Sequence, residues 1–124
     1  LSTYKATAAT PAVTIDNSQD VTLNAGALIY GAPAQVLTGP GAVGLLTPIT
    51  HVATTGADAL TLADGTQGET KFITMITDGG DGTLTPTNLS GSSTITFNDV
   101  GDSVHLLFTG GAWCIVGQYG VTIA

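Results

Sequence analysis

The chain has 124 residues and a net charge of -7, with 43% hydrophobic but only 9% charged residues. An ordinary globular domain carries roughly 25% charged residues, so solubility here rests on Thr, Ser, Asn, Gly and the net negative charge. Lys5 and Lys71 are the only basic side chains, which excludes a phosphate-gripping nucleic-acid interface and a basic membrane-binding patch.

Helix signals are sparse. Glu69 is the only glutamate, so a surface helix laced by i,i+4 charge pairs cannot be assembled. Thr, Val and Ile, which suit pleated strands, recur between glycine clusters, and that spacing predicts an all-β fold. The pattern predicts an antiparallel sandwich, or a jelly-roll-like or barrel module, behind an extended N-terminal arm.

Residues 1–12 read as that arm, because Tyr4 to Pro11 is small, polar and aperiodic and Pro11 cannot donate to a ladder. One β domain is expected over 13–124, in which 13–55 reads as less regular than 56–124. Val13–Asp16 and Val21–Asn24 are candidate strands around an Asn17-Ser18 turn. Ala25–Pro33 is compatible with either strand or irregular loop. Gln35–Leu37 precedes a firm Gly39-Pro40-Gly41 turn, and Gly44–Thr47 and Thr50–Thr54 are expected strands flanking Pro48. Gly56-Ala57-Asp58 is a turn before Ala59–Leu62, and Asp64-Gly65 is a hairpin signal. Lys71–Thr77 is the longest β-like run, with Phe72, Thr74 and Ile76 on one face and Ile73, Met75 and Thr77 on the other. After the Asp78–Gly82 loop come Thr83–Pro86, Thr94–Phe97, Ser103–Phe108, Ala112–Gly117 and Val121–Ile123. No strict repeat is visible.

The sharpest local expectation is a hairpin turning at Gly110-Gly111, since two glycines tolerate the positive φ angles of a type I′ turn. It pairs Phe108 with Trp113, Leu107 with Cys114, Leu106 with Ile115 and His105 with Val116. Both resulting faces are largely apolar, whereas a hairpin with one wet face alternates apolar and polar residues. Either the domain covers both faces, or the face carrying His105, Leu107, Cys114 and Val116 meets another subunit.

Catalytic and metal chemistry find little support. His51 and His105 are the only imidazoles and Cys114 the only thiol, which rules out an intrachain disulfide. Cys114 lies diagonally across from His105, but its neighbours Leu107 and Val116 are apolar, and a cysteine in such surroundings is inert. Asp78-Gly79-Gly80-Asp81-Gly82 offers two carboxylates that calcium could use, yet it lacks the closing Glu of an EF-hand; Asn98–Asp102 reads the same way. No phosphate-loop pattern occurs. The aspartates sit in turn contexts where the side chain has a local role, which weakens a glycosidase reading. Trp113 reads as core rather than as a sugar-stacking platform. The sequence therefore predicts no enzyme, no cofactor and no metal.

The Ala59-Leu60-Thr61-Leu62-Ala63-Asp64-Gly65 run, Gly68, Lys71 and Asp78-Gly79-Gly80-Asp81-Gly82-Thr83-Leu84-Thr85-Pro86 form a longer pattern. It continues through Thr94-Ile95-Thr96-Phe97, Gly101-Asp102-Ser103-Val104 and Gly110-Gly111-Ala112-Trp113. Over a little more than half of the chain it resembles small virion proteins of tailed bacteriophages. The resemblance implies a homotrimeric β module on the capsid surface, a decoration (cement) protein that bridges the major capsid protein without covalent chemistry. In that frame Tyr4, Lys5 and Pro11 belong to a shell-contacting arm, and His105, Leu107, Cys114 and Val116 to a subunit interface. The alternative is a tail-fibre or spike module that attaches to a host surface. The finish after Val121-Thr122-Ile123 reads as that of a small complete protein and favours the first.

Overall fold

A computed structural model describes residues 13–24, 26–30 and 34–124, and contains no helix among them. The chain divides into two compact units, 1–30 and 31–124. The hairpin expected inside the main β domain therefore belongs to the first unit.

In that unit, β1 (Val13–Ile15) and β2 (Val21–Leu23) pair antiparallel. The Asp16 carboxylate ties the turn by accepting from the amides of Ser18 and Asp20. The register sets Val13 beside Leu23 and Ile15 beside Val21, with Thr14 beside Thr22 on the other face. Residues 26–30 form no strand, which resolves the ambiguity there in favour of loop. Tyr4, Lys5 and Pro11 lie outside the described residues.

The second unit is a sandwich of two five-stranded sheets. The first holds β3 (Gln35–Thr38), β5 (Ile49–Ala53), β7 (Thr70–Thr77), β10 (Ser103–Thr109) and β11 (Ala112–Tyr119). The second holds β4 (Gly41–Val43), β6 (Asp58–Leu62), β8 (Gly82–Pro86), β9 (Ile95–Phe97) and β12 (Thr122–Ile123). Neither closes into a barrel.

From β3 to β8 the chain alternates between the sheets, one strand in each, so that strands of the same sheet stack parallel in three successive rungs. This departs from the antiparallel expectation. Parallel strands need a long crossover; here the partner strand in the opposite sheet serves as that crossover in place of a helix. Successive rungs differ in length, pairing Gln35 with Thr50 but Ile49 with Phe72, so no repeat shows in the sequence. From β8 onward the named strands pair antiparallel, and an isolated bridge joins Leu89 to Trp113 in parallel.

Two expected elements are absent. Gly44–Thr47 is not a strand; β4 lies earlier, at Gly41–Val43. The carbonyls of Gly44 and Thr47 turn instead to accept hydrogen bonds from Lys71 Nζ. Asp64-Gly65 does not make a hairpin, because β6 and β7 lie in different sheets. That segment packs on Trp113, whose ring lies so close that a Cβ on Gly65 would sit 2.8 Å from Cζ2.

Between the sheets lies one apolar core, with Val52, Ile73, Met75, Leu84, Phe97, Leu106 and Trp113 fully enclosed. Trp113 meets Phe108 edge-on at 5.2 Å and donates its indole N–H to Ala63 O at 2.9 Å. Lys71 shares the core-facing alternation of Ile73 and Met75 and is equally buried. Besides the two carbonyls, its ammonium meets Thr50 Oγ1 at 3.3 Å. Burial lowers its pKa, and the nearby Glu69 charge partly opposes that shift.

Candidate functional site

The Gly110-Gly111 hairpin forms as expected, with φ of 65° and 81° at the two glycines. Pairing runs from Thr109–Ala112 through Leu106–Ile115, and then a bulge intervenes. His105 pairs with Gly117, not with Val116 as the unbroken alternation implies, and Val104 and Ser103 continue opposite Gln118 and Tyr119. An extra residue on one strand bends it and re-aims its side chains. Val116 is pushed out to 53% exposure.

The two faces of this hairpin have different fates. Val104, Leu106, Phe108 and Trp113 enter the core, and Ile115 packs partly buried against it. On the outer face, Leu107 and Cys114 are cross-strand partners and half-buried. The sandwich core thus accounts for only one of the two apolar faces.

His105 stacks on Phe72 of β7, its register partner, with ring centroids 4.0 Å apart and planes inclined by 17°. Its Nε2 is buried without a hydrogen-bond partner, a state that costs about 1–3 kcal/mol. Opposite His105 stands a residue with no side chain. Around Gly117 this opens a cleft of about 350 Å³ on the outer face of β7, β10 and β11, bordered by Phe72, Thr74, Ser103, His105 and Tyr119. Tyr119 is 73% exposed. No Asp, Glu, Lys or Arg side chain borders it.

The other candidates have local structural work. His51 lies in register with Thr74 on β5, two strands from β10, so the two imidazoles are not adjacent. In the Asp78–Gly82 loop, Asp78 Oδ1 accepts from Gly80 N at 3.0 Å. Thr54 Oγ1 accepts from Gly79 N and donates to Gly80 O. A Cβ on Gly79 would collide with the Thr54 carbonyl, and one on Gly80 would lie 2.6 Å from Gly56 C. The glycines therefore let this loop close on 54–57. Asp102 is buried, and its carboxylate accepts from the amides of Asn98 and Asp99 at 2.8 and 3.0 Å. Among the described residues, no three His, Cys, Asp or Glu side chains converge as a metal site.

Sequence reasoning missed the cleft and the buried Lys71. The signal for the first is the break in alternation at Val116-Gly117. For the second it is a lysine in phase with Ile73 and Met75. No protein-family model matches the chain, and no curated protein matches it.

Proposed function

We propose that the protein is a non-catalytic capsid decoration protein: the β-sandwich is a rigid displayed body, and the first unit attaches it to the major capsid protein. The observation that carries this reading is the amphipathic β1–β2 hairpin. Its threonines share one face; Val13, Ile15, Val21 and Leu23 share the other and are all exposed. An isolated two-stranded hairpin is marginal in water, and contiguous exposed apolar surface marks an interaction site. Leu28 and Ile29, 67% and 83% exposed, continue the apolar character. Shell attachment would bury these side chains, and apolar burial contributes roughly 25 cal/mol per Å².

Replacing Ile15 and Val21 together by aspartate should abolish decoration while leaving the melting of the sandwich unchanged. Cosedimentation with phage heads assembled from the major capsid protein reads this out. Full occupancy by the double variant would overturn the assignment.

The same reading has the protein form a homotrimer through the outer-face patch of Leu107, Cys114 and Val116, which carries no charge to oppose the approach of a second acidic copy. Light scattering coupled to size exclusion should give three times the 12.3 kDa monomer mass. Leu107→Asp should return the protein to monomer, and an unaltered mass for that variant would remove the patch from the interface. His105, the fourth residue expected at this interface, is stacked on Phe72 and also borders the cleft.

A further inference from the structure

We propose that the cleft around Gly117 is a binding site for a neutral saccharide. The bulge at Val116 brings a glycine opposite His105, and the missing side chain creates the space. A Cβ at Gly117 would meet nothing within 4 Å, and its φ lies outside the left-handed region. Neither crowding nor backbone geometry therefore requires glycine here; the open space is what a larger residue would remove.

The lining matches one ligand chemistry. Tyr119 and the Phe72–His105 pair supply ring surface, on which the apolar C–H face of a sugar can rest. Thr74 and Ser103 supply hydroxyls that both donate and accept. His105 borders the space, and its Nε2 is buried without a hydrogen-bond partner. The volume of about 350 Å³ falls at the lower end of small-molecule sites.

Charge selects further. The cleft offers no fixed cation: the one lysine among the described residues is buried in the core. An anionic sugar would meet a protein of net charge -7, and no lysine or arginine among the described residues borders the cleft to pair with it. Hydroxyl-rich neutral rings remain, either as single glycosides or as units of a neutral polysaccharide. The inference does not rest on capsid attachment, because the cleft and the β1–β2 hairpin lie in different units.

The test is a nuclear magnetic resonance titration of the full chain with methyl glycosides of glucose, galactose and mannose, with dextran and mannan, and with methyl glucuronide. Saturable shifts are expected at the amides of 72–74, 103–105 and 117–119, with a Kd on the order of 1 mM for the preferred glycoside. Tighter apparent binding of one polymer than of its monomer would identify a polysaccharide as the source; equal affinity would identify the single ring. Gly117→Val, which fills the cleft, and Tyr119→Ala, which removes an exposed ring, should each weaken binding by at least about tenfold at unchanged melting temperature. Absence of saturable shifts with every neutral sugar would overturn the proposal. So would equal binding of the glucuronide, or full binding by a folded Tyr119→Ala variant.

Discussion

Replacement of Trp113 by alanine should cost about 4–5 kcal/mol, near the upper end for large-to-small changes in a core. The side chain is fully buried and holds several parts of the sandwich at once. Its indole N–H ties the segment after β6 through Ala63 O, and its ring fills the space that Gly65 leaves open. Its backbone exchanges hydrogen bonds with 88–90, donating to Asn88 O and accepting from Ser90 N. Alanine leaves the Ala63 carbonyl without its donor and opens a void beneath Gly65. Neighbouring backbone already fixes both walls, so the void cannot collapse fully. A domain of this size loses about 4–8 °C of Tm per kcal/mol, so the variant's Tm should fall by about 20 °C or more when melting is followed by near-ultraviolet circular dichroism. Trp113→Phe, which keeps part of the ring packing but loses the N–H and the Cζ2–Cη2 edge against Gly65, should lose about 2–3 kcal/mol. Equal losses for the two variants would contradict the packing account.

Lys71→Met should destabilise by about 3 kcal/mol, because the Gly44 and Thr47 carbonyls lose their donor and each unsatisfied buried acceptor costs about 1–3 kcal/mol. Methionine fits the apolar stem, so the loss reports the hydrogen bonds rather than a cavity. The pH dependence separates charge from packing. Burial holds the Lys71 pKa below its ordinary value, so over an alkaline interval below about 10.4, the unfolded lysine value, the unfolded chain binds more protons than the folded one. Stability contributed by this group therefore rises with pH through that interval. Denaturant titrations across the interval should show the wild type gaining stability relative to Lys71→Met as pH increases. A constant difference would show that the folded protein keeps an ordinary lysine.

How much of this could be read in advance depends on whether the determinant is local. The β10–β11 turn follows from two adjacent glycines, and its first four pairings from counting outward from them. The β1–β2 hairpin likewise turns on neighbouring residues. The parallel rungs leave no such mark. A strand with one face in the core alternates in the same way whichever direction its neighbour runs, so Ile49–Ala53 and Asp58–Leu62 look identical in either arrangement. The Gly44–Thr47 error has its cause at Lys71, whose ammonium claims the carbonyls that a strand would have paired. The cleft depends on one inserted residue at Val116, which shifts everything beyond it relative to β10. That slip is invisible until the register of the partner strand is known.

The rung architecture also bears on how the protein reaches and leaves its folded state. Among the described residues, only the β10–β11 and β1–β2 ladders close over a few residues. The β5–β7 and β6–β8 ladders must wait for intervening chain to cross to the opposite sheet and return. Such a high contact order makes folding slow, because loop entropy is spent before the long-range contacts repay it. If those rungs close only after the folding transition state, the interactions they add will retard unfolding without hastening folding. Persistence would then come from a high exit barrier as well as from a deep equilibrium.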